Sequence, residues 1–406
     1  MIKKIGSVLL VFFFLSPVFS QEVKYGNLSL LISQIKSAMP GENSNAFVIP
    51  TSGEMESFRS VTRHMLNARY ASADSLADSL GYELYEWYDT AYDSSLYYVL
   101  MEPSANVSGG VQLGWGTYIF YPTGGVEVAI EVPHPLFDSN TWQVGFTSYQ
   151  VVQSRYFLMA GTHRYANGRD PRPADVAHNT QNMFHVVHQE ISPLVSHTMQ
   201  IHGFSRNNHP AGYPDVILSN GTPSPGPILD SLAQGIIGEG YSVGIFDGVN
   251  YTTLGATTNT QGQFSNSNGY SFIHMEIEYF IRANAAHWEK FVDVIYATFY
   301  VPMSLPWLAH NEIPHKPFLY PGYPNPFNSR IGIQWYQPSS GDVTLEIFNV
   351  LGERVRILLQ GYFTTGMQKV NWDGLSDAGL SVASGQYLVV LRTENSVQVK
   401  RIVLIR

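Results

Sequence analysis

Residues 125–138 read GVEVAIEVPHPLFD, a strand-like segment that leads directly into a polar one. Its GVEVAIEV half is an apolar run of the length that a buried β-strand takes. Pro133 and Pro135 restrict the backbone just after the strand, where His134 and Asp138 follow. Sheets of α/β proteins carry their ligand sites at the carboxyl ends of strands, so the stretch indicates an α/β fold with a polar site at that edge.

Helix-like and strand-like segments alternate over residues 22–310. Strand-like segments are predicted at residues 155–160, 196–201, 215–218, 241–246 and 272–279. Apolar residues at three- and four-residue spacing predict helices at residues 55–80, 182–191 and 228–237. The alternation predicts an α/β domain with a mixed central sheet and flanking helices.

The composition excludes several classes of protein. The 406 residues are 44% hydrophobic and 14% charged, which disfavours disorder, and the net charge of −9 without a basic run disfavours nucleic acid as a partner. There is no cysteine. Disulfides are therefore absent, and any metal site must use His, Asp or Glu.

Residues 1–20 have the pattern of a secretory signal peptide. Lys3 and Lys4 precede an apolar run at residues 8–15, and small residues then suit cleavage before Gln21. The alternative is an uncleaved anchor, which the short run disfavours. Since no later segment is long and apolar enough to span a bilayer, we expect export and a mature chain without a transmembrane segment.

Six prolines between residues 303 and 326 mark a domain boundary. We therefore predict an α/β domain at residues 21–310, a linker at 311–322 and a small all-β sandwich at 323–406. In the last region, short alternating segments are separated by turn signals such as Asp373-Gly374.

Several ordered motifs recur in this C-terminal region: YPNPFN at 323–328, FNVLGE at 348–353, NWDG at 371–374, ASGQY at 383–387 and KRIVL at 400–404. Together they resemble the C-terminal sorting domain of type IX secretion substrates. The resemblance implies passage across the outer membrane of a Gram-negative-type bacterium by the type IX machinery, followed by release or surface attachment. A plain β-sandwich binding module is the alternative.

Four segments carry candidate site residues. His134 and Asp138 can share a metal, and Glu131 is an alternative to Asp138. His163 and Arg164 follow the next predicted strand, where Arg164 suits a substrate carboxylate. The remaining candidates lie on two later strands: His202 at a strand end, and His274, Glu276, Glu278 and Arg282 in or after the HMEIEYFIR segment.

Strand alternation places His274, Glu276 and Glu278 on one face. Carboxylates on a buried face are costly unless paired or bound to metal, whereas a solvated face would need no explanation. Beside a zinc-bound water, a carboxylate is the general base that hydrolysis requires, because zinc lowers the pKa of that water to about 7.

The order of these segments resembles zinc-dependent amidohydrolases and carboxypeptidases of the phosphorylase/hydrolase-like fold, especially the N-formylglutamate amidohydrolase group. The resemblance covers residues 95–300. It implies one zinc ion held by His134, Asp138 and His202, Glu276 as catalytic base, and substrate binding by His163, Arg164 or Arg282. The substrate would be a peptide, an N-acyl amino acid or a cell-wall peptide. The family's HxxE motif is absent, since His134 and Asp138 are four residues apart.

Three other interpretations are open. His185 and His188 share a helix face and could hold a metal, although a polar helix surface explains them as well. A hydrolase-like fold without catalysis could bind glycan or peptide through its many aromatic residues. A serine hydrolase is disfavoured because no Gly-x-Ser-x-Gly motif occurs.

Overall fold

The computed structural model describes residues 22–91, 95–103, 113–122, 125–303, 317–319, 322, 325–328, 330–394 and 396–405. The predicted signal peptide and most of the predicted linker lie outside these ranges. No helix in the described part of the chain has the length and hydrophobicity needed to cross a membrane.

The first part of the chain alternates strands and helices, as the sequence predicts. Its strands are β1 (Glu22–Gly26), β2 (Glu83–Asp89), β3 (Leu96–Met101), β4 (Thr117–Phe120), β5 (Val126–Val132), β6 (Ser154–Met159), β7 (His197–Phe204), β8 (Val216–Ser219), β9 (Val243–Ile245) and β10 (Phe272–Glu278). Its helices are α1 (Leu28–Ala38), α2 (Ser52–Leu66), α3 (Tyr70–Asp78), α4 (Thr141–Val152), α5 (Met183–Ile191), α6 (Pro227–Gly238), α7 (Thr260–Ser267), α8 (Tyr279–Arg282) and α9 (Ala285–Met303).

These strands form one mixed sheet in the order β1-β2-β3-β4-β6-β5-β7-β10-β8-β9. Its centre is parallel, because β5 pairs in parallel with β6 and β7, and β7 with β10. The flanks contain antiparallel pairs, such as β3 with β4 and β10 with β8. The predicted fold class, a mixed α/β sheet with flanking helices, is confirmed.

The two faces of the central strands differ in chemistry. One face sends Val, Ile and Met side chains into a core with α1, α4, α6 and α9. On the other face the central strands carry polar side chains that are nevertheless buried: Glu131, Gln200, His202, His274 and Glu276. Helices α5 and α7 pack together over this polar face, while α2 and α3 cover an apolar core beside it. A polar face beneath helices needs internal partners, and it is where the candidate site lies.

One predicted helix is wrong in extent. Residues 55–80 form two helices instead of one, with the break at Asn67, Ala68 and Arg69. Helix α2 ends where Asn67 leaves helical geometry and its side-chain amide donates to the carbonyl of Arg63. Ala68 then adopts a left-handed backbone at φ 55°, which reverses the chain. Alanine favours helices, so the sequence pattern gave no sign of this break.

The C-terminal part is all-β, as predicted. Its strands are β11 (Phe318–Leu319), β12 (Ile331–Gln337), β13 (Gly341–Asn349), β14 (Arg354–Phe363), β15 (Gly366–Trp372), β16 (Gly385–Thr393) and β17 (Ser396–Leu404). They form two antiparallel sheets, β11-β12-β15 and β14-β13-β16-β17. Side chains from both sheets make one apolar core, which includes Trp335 and Trp372.

Candidate metal centre

Three polar residues meet at the carboxyl edge of the parallel centre of the sheet. His134 follows β5, His202 lies near the end of β7, and Glu276 lies near the end of β10. The strands β5, β7 and β10 are neighbours in that order, and Glu276 is the register partner of His202. Strand register therefore brings together residues that are up to 142 positions apart in sequence, as the difference between 134 and 276 shows.

Asp138 lies between the two histidines. Its Oδ2 atom is 3.2 Å from His134 Nδ1 and 3.3 Å from His202 Nδ1. The turn after β5 creates this approach, because the backbone N–H of Asp138 donates to the carbonyl of His134 at 3.0 Å. All three side chains are buried.

Asp175 fixes the orientation of the His134 ring. Its Oδ1 atom is 2.9 Å from His134 Nε2, and a carboxylate only accepts, so Nε2 carries the proton. Arg164 donates to the other oxygen of Asp175, and His178 lies 3.2 Å from Asp175 Oδ1. A carboxylate behind a ligand histidine is a recurring arrangement in metal sites, where it orients the ring and raises its basicity.

The charges of this group are strongly coupled. Burial opposes ionisation of Asp138, but His134 and His202 outweigh burial and hold the pKa of the Asp138 carboxyl well below its usual range. Burial and Arg164 act against protonation of His134, yet its contacts with Asp138 and Asp175 raise its pKa. Burial lowers the pKa of His202 to about 4.

The donor set fits a zinc ion. Zinc binds histidine nitrogen and carboxylate oxygen at about 2.0–2.1 Å, and a tetrahedron with such bonds separates two ligand atoms by roughly 3.3–3.4 Å. The two separations from Asp138 Oδ2 are 3.2 and 3.3 Å. His134, Asp138 and His202 are also one of the clusters whose ligand atoms lie within 4.8 Å of one another. The sequence-predicted ligand set is thus a group that can hold a metal.

Glu276 and His274 face the same pocket with unsatisfied atoms. Among the described residues, Glu276 Oε2 and His274 Nδ1 are buried without a hydrogen-bond partner. Burial, followed by repulsion from Asp138, raises the pKa of Glu276 well above its usual value. Burial, followed by His202, lowers the pKa of His274 well below its usual value. A buried carboxyl without a partner indicates a group that awaits a proton donor or a ligand.

Arg282 lines this pocket, but the backbone takes up its donors. The guanidinium donates to the carbonyls of Ile277, Ser139 and Phe204, and only 3% of the residue is exposed. It therefore ties the ends of β7 and β10 to the turn after β5. Substrate binding by Arg282 stays a prediction, and these contacts favour a structural role.

The other predicted residues have separate positions. Arg164 lines the pocket with its guanidinium on Asp175, whereas His163 lies outside the pocket lining and accepts from the N–H of Tyr165. Glu131 is not beside the histidines of the metal cluster, because its carboxylate contacts His188 and Gln200. This contact favours Asp138 over Glu131 as the second ligand.

The pocket has a volume of about 530 Å³. Its floor is the metal cluster with Glu276, and much of its rim is the segment between Thr252 and Asn259. Arg172 and His178 also line the pocket, and Arg172 adds a cationic side chain to it.

Two further residues belong to a cluster that can hold a metal but are not among the candidate site residues taken from the sequence, namely Asp175 and His178. Asp175 contacts both His134 and Arg164, and His178 lines the same pocket. The surface interpretation of His185 and His188 is wrong, since both are buried beneath the sheet face.

Comparison with known proteins gives matches to parts of the chain. The family model of the FlgD Ig-like domain matches residues 328–396. No curated protein matches the chain.

Three solved structures are similar to segments of the chain. N-formylglutamate amidohydrolase from Ralstonia eutropha is 12% identical over 45% of this chain and 96% of that one, with a TM-score of 0.31. Latent PorU and the type IX secretion component PorZ, both from Porphyromonas gingivalis, are 20% and 26% identical over 23% and 22% of this chain, with TM-scores of 0.20 and 0.17. The chain spans only 10% and 11% of those two proteins. With TM-scores below 0.5, these similarities carry no conclusion about activity.

Proposed function

We propose that the chain is a zinc-dependent hydrolase of amide or peptide bonds, with the metal held by His134, Asp138 and His202. The observation that carries the proposal is the convergence of these ligand atoms beside the unpaired Oε2 of Glu276 in one pocket. A zinc ion there supplies Lewis acidity and lowers the pKa of a water molecule to about 7.

Glu276 is the proton carrier of the reaction. Its Oε2 takes a proton from the attacking water, whose oxygen forms a bond to the carbonyl carbon. The same carboxyl then gives the proton to the nitrogen as the C–N bond breaks, so an acid and an amine leave. The unpaired Oε2 suits this exchange, because no hydrogen-bond donor in the described part of the chain already occupies it. Arg164 is the proposed anchor for a substrate carboxylate.

The experiment compares the wild-type mature chain with Glu276→Gln and with a His134→Ala/His202→Ala double variant. Zinc content is measured by elemental analysis, and hydrolysis is measured on N-acyl amino acids and peptides. We expect one zinc in the wild type and in Glu276→Gln, loss of zinc in the double variant, and loss of hydrolysis in both variants. Full activity of Glu276→Gln would show that Glu276 is not the catalytic base. A wild type without metal after zinc reconstitution would favour the non-catalytic binding protein.

We further propose that residues 323–406 are a type IX sorting domain that delivers the protein to the cell surface or the medium. The ordered motifs from YPNPFN to KRIVL support this, as does their setting in an antiparallel sandwich. A chain that lacks residues 323–406 should accumulate in the periplasm, as measured by cell fractionation. Normal surface delivery of the truncated chain would contradict this role.

A further inference from the structure

We propose that Gln200 is a positioning residue for His202, and that Asn259 and Glu131 hold the Gln200 amide in the required orientation. The inference rests on the metal centre of the proposed function. Its consequence is specific, because it assigns Nδ1 of His202, and not Nε2, as the atom that binds the cation.

The assignment starts from a backbone N–H, which can only donate. Asn259 is the residue that caps α7, and its Oδ1 atom accepts from the N–H of Gly262 at 3.0 Å. The other end of this amide is therefore the NH₂ group, and it donates to Gln200 Oε1 at 2.7 Å. Gln200 Oε1 is thus an acceptor.

The orientation of Gln200 then fixes the tautomer of His202. Gln200 Oε1 lies 3.1 Å from His202 Nε2, and an acceptor oxygen requires a proton on that nitrogen. In the neutral ring Nδ1 then carries the lone pair, and this atom faces Asp138 Oδ2 at 3.3 Å. A lone pair facing a carboxylate oxygen repels it unless a cation lies between them.

A buried carboxylate holds the other end of Gln200. Gln200 Nε2 donates to Glu131 Oε2 at 2.9 Å, and Glu131 Oε1 lies 2.7 Å from His188 Nδ1. His188 Nε2 in turn lies 3.0 Å from the hydroxyl of Ser265. Every link from Ser265 through Glu131 to Gln200 has an exposed fraction of 0%.

The Ser265, His188 and Glu131 contacts have the pattern of a nucleophilic triad. Full burial of all three keeps substrate away from the Ser265 hydroxyl, so the arrangement does not serve as a nucleophile. Helices α5 and α7 supply His188 and Ser265, and they thereby lock Glu131 behind the amide that orients His202. The buried polar face is a support for the metal centre.

The first test measures zinc affinity by chelator competition on the mature chain. Partners behind a metal ligand are typically worth 10- to 100-fold in affinity, so we expect that loss in Gln200→Leu. Gln150→Leu is the matched control, since Gln150 is a buried glutamine that bonds Asp89 and Ser29 and does not line the metal pocket. It should bind zinc as the wild type does.

A second variant separates positioning from stability. Asn259→Asp keeps an acceptor for the Gly262 N–H and remains a good helix cap, but it removes the NH₂ donor to Gln200. We expect weaker zinc binding without a matching loss of melting temperature. Wild-type affinity in both Gln200→Leu and Asn259→Asp would overturn the inference, provided that the wild type binds zinc.

A third measurement needs no variant. In the zinc-loaded wild type with ¹⁵N-labelled histidine, NMR should show a protonated Nε2 and a zinc-bound Nδ1 for His202. Zinc on Nε2 would overturn the inference while leaving the hydrolase proposal intact. A wild type that binds no zinc would instead overturn the hydrolase proposal.

Discussion

A side chain at position 203 has no room. A Cβ atom on Gly203 would collide with the guanidinium of Arg282, which lies across the strand end. Arg282 cannot move aside without releasing three backbone carbonyls in a buried site. The close packing of Gly203 against Arg282 therefore helps to hold the ends of β7 and β10 in position beside the pocket.

We expect Gly203→Ala to lower the free energy of unfolding by about 1–3 kcal/mol, the usual cost of overpacking. Urea unfolding measures this. Gly41→Ala is the control, because a Cβ atom at Gly41 meets nothing within 4 Å. Equal stability of the two variants would show that Arg282 shifts freely.

At the scale of single elements, helix α2 begins with a complete capping box. Thr51 Oγ1 accepts from the N–H of Glu54 at 3.2 Å, and the Glu54 carboxylate accepts from the N–H of Thr51 at 2.7 Å. The two bonds satisfy amides that have no partner inside the helix.

Thr51→Ala should therefore destabilise the protein by about 1 kcal/mol, and Thr51→Ser should restore most of that loss. Thermal unfolding of the three proteins at neutral pH tests this. A serine variant as unstable as the alanine variant would assign the effect to the threonine methyl group.

Helix α5 turns two histidines inward, and one of them makes stability depend on pH. Burial lowers the pKa of His185 to about 3 in the folded chain, against about 6.5 in an unfolded one. Between these values the unfolded state binds a proton that the folded state does not. Stability is therefore complete above about pH 6.5 and falls by about 1.4 kcal/mol per pH unit below it.

His185→Gln should weaken the pH dependence of the free energy of unfolding by the amount that one bound proton contributes. Urea unfolding of zinc-free protein at pH 7, 6 and 5 measures the slope for variant and wild type. His202 and His274 contribute equally to both proteins, so the difference reports His185. Identical slopes would mean that His185 titrates normally.

At the scale of the whole molecule, zinc should stabilise the folded state, because the site requires strands β5, β7 and β10 to be aligned. Free zinc at 100 times its dissociation constant adds about 2.7 kcal/mol. We expect a higher melting temperature with zinc in the wild type and no increase in His134→Ala/His202→Ala. An equal increase in both would indicate zinc binding elsewhere.

Much of this architecture is predictable from local pattern. The strand-like segments of β5, β7 and β10 can be recognised in the sequence. They place His134 and His202 at strand ends and Glu276 on the same strand face as His274. The features that could not be predicted from the sequence are those that depend on tertiary contacts. The i, i+3 spacing of His185 and His188 shows that they share a helix face, but not that this face is covered.

Asp175 illustrates the same limit. It lies 41 residues from His134, in a loop with no periodic pattern, and only the fold brings it to the ring. The sequence could not predict the partner of Glu131 either. Gln200 becomes its neighbour only through the register of β5 and β7.

Asn259 has three tasks, since it ends the rim of the pocket, caps helix α7 and donates to Gln200 beside the candidate metal centre. The rim between Thr252 and Asn259 is consequently tied to α7 at its Asn259 end. Grafting a different loop to change substrate preference should succeed when the splice leaves Asn259 and the start of α7 untouched. An insertion directly before Asn259 would shift the cap and, with it, the ring of His202. Variants of this protein with changed substrate preference should therefore carry their loop substitutions and insertions nearer to Thr252 than to Asn259.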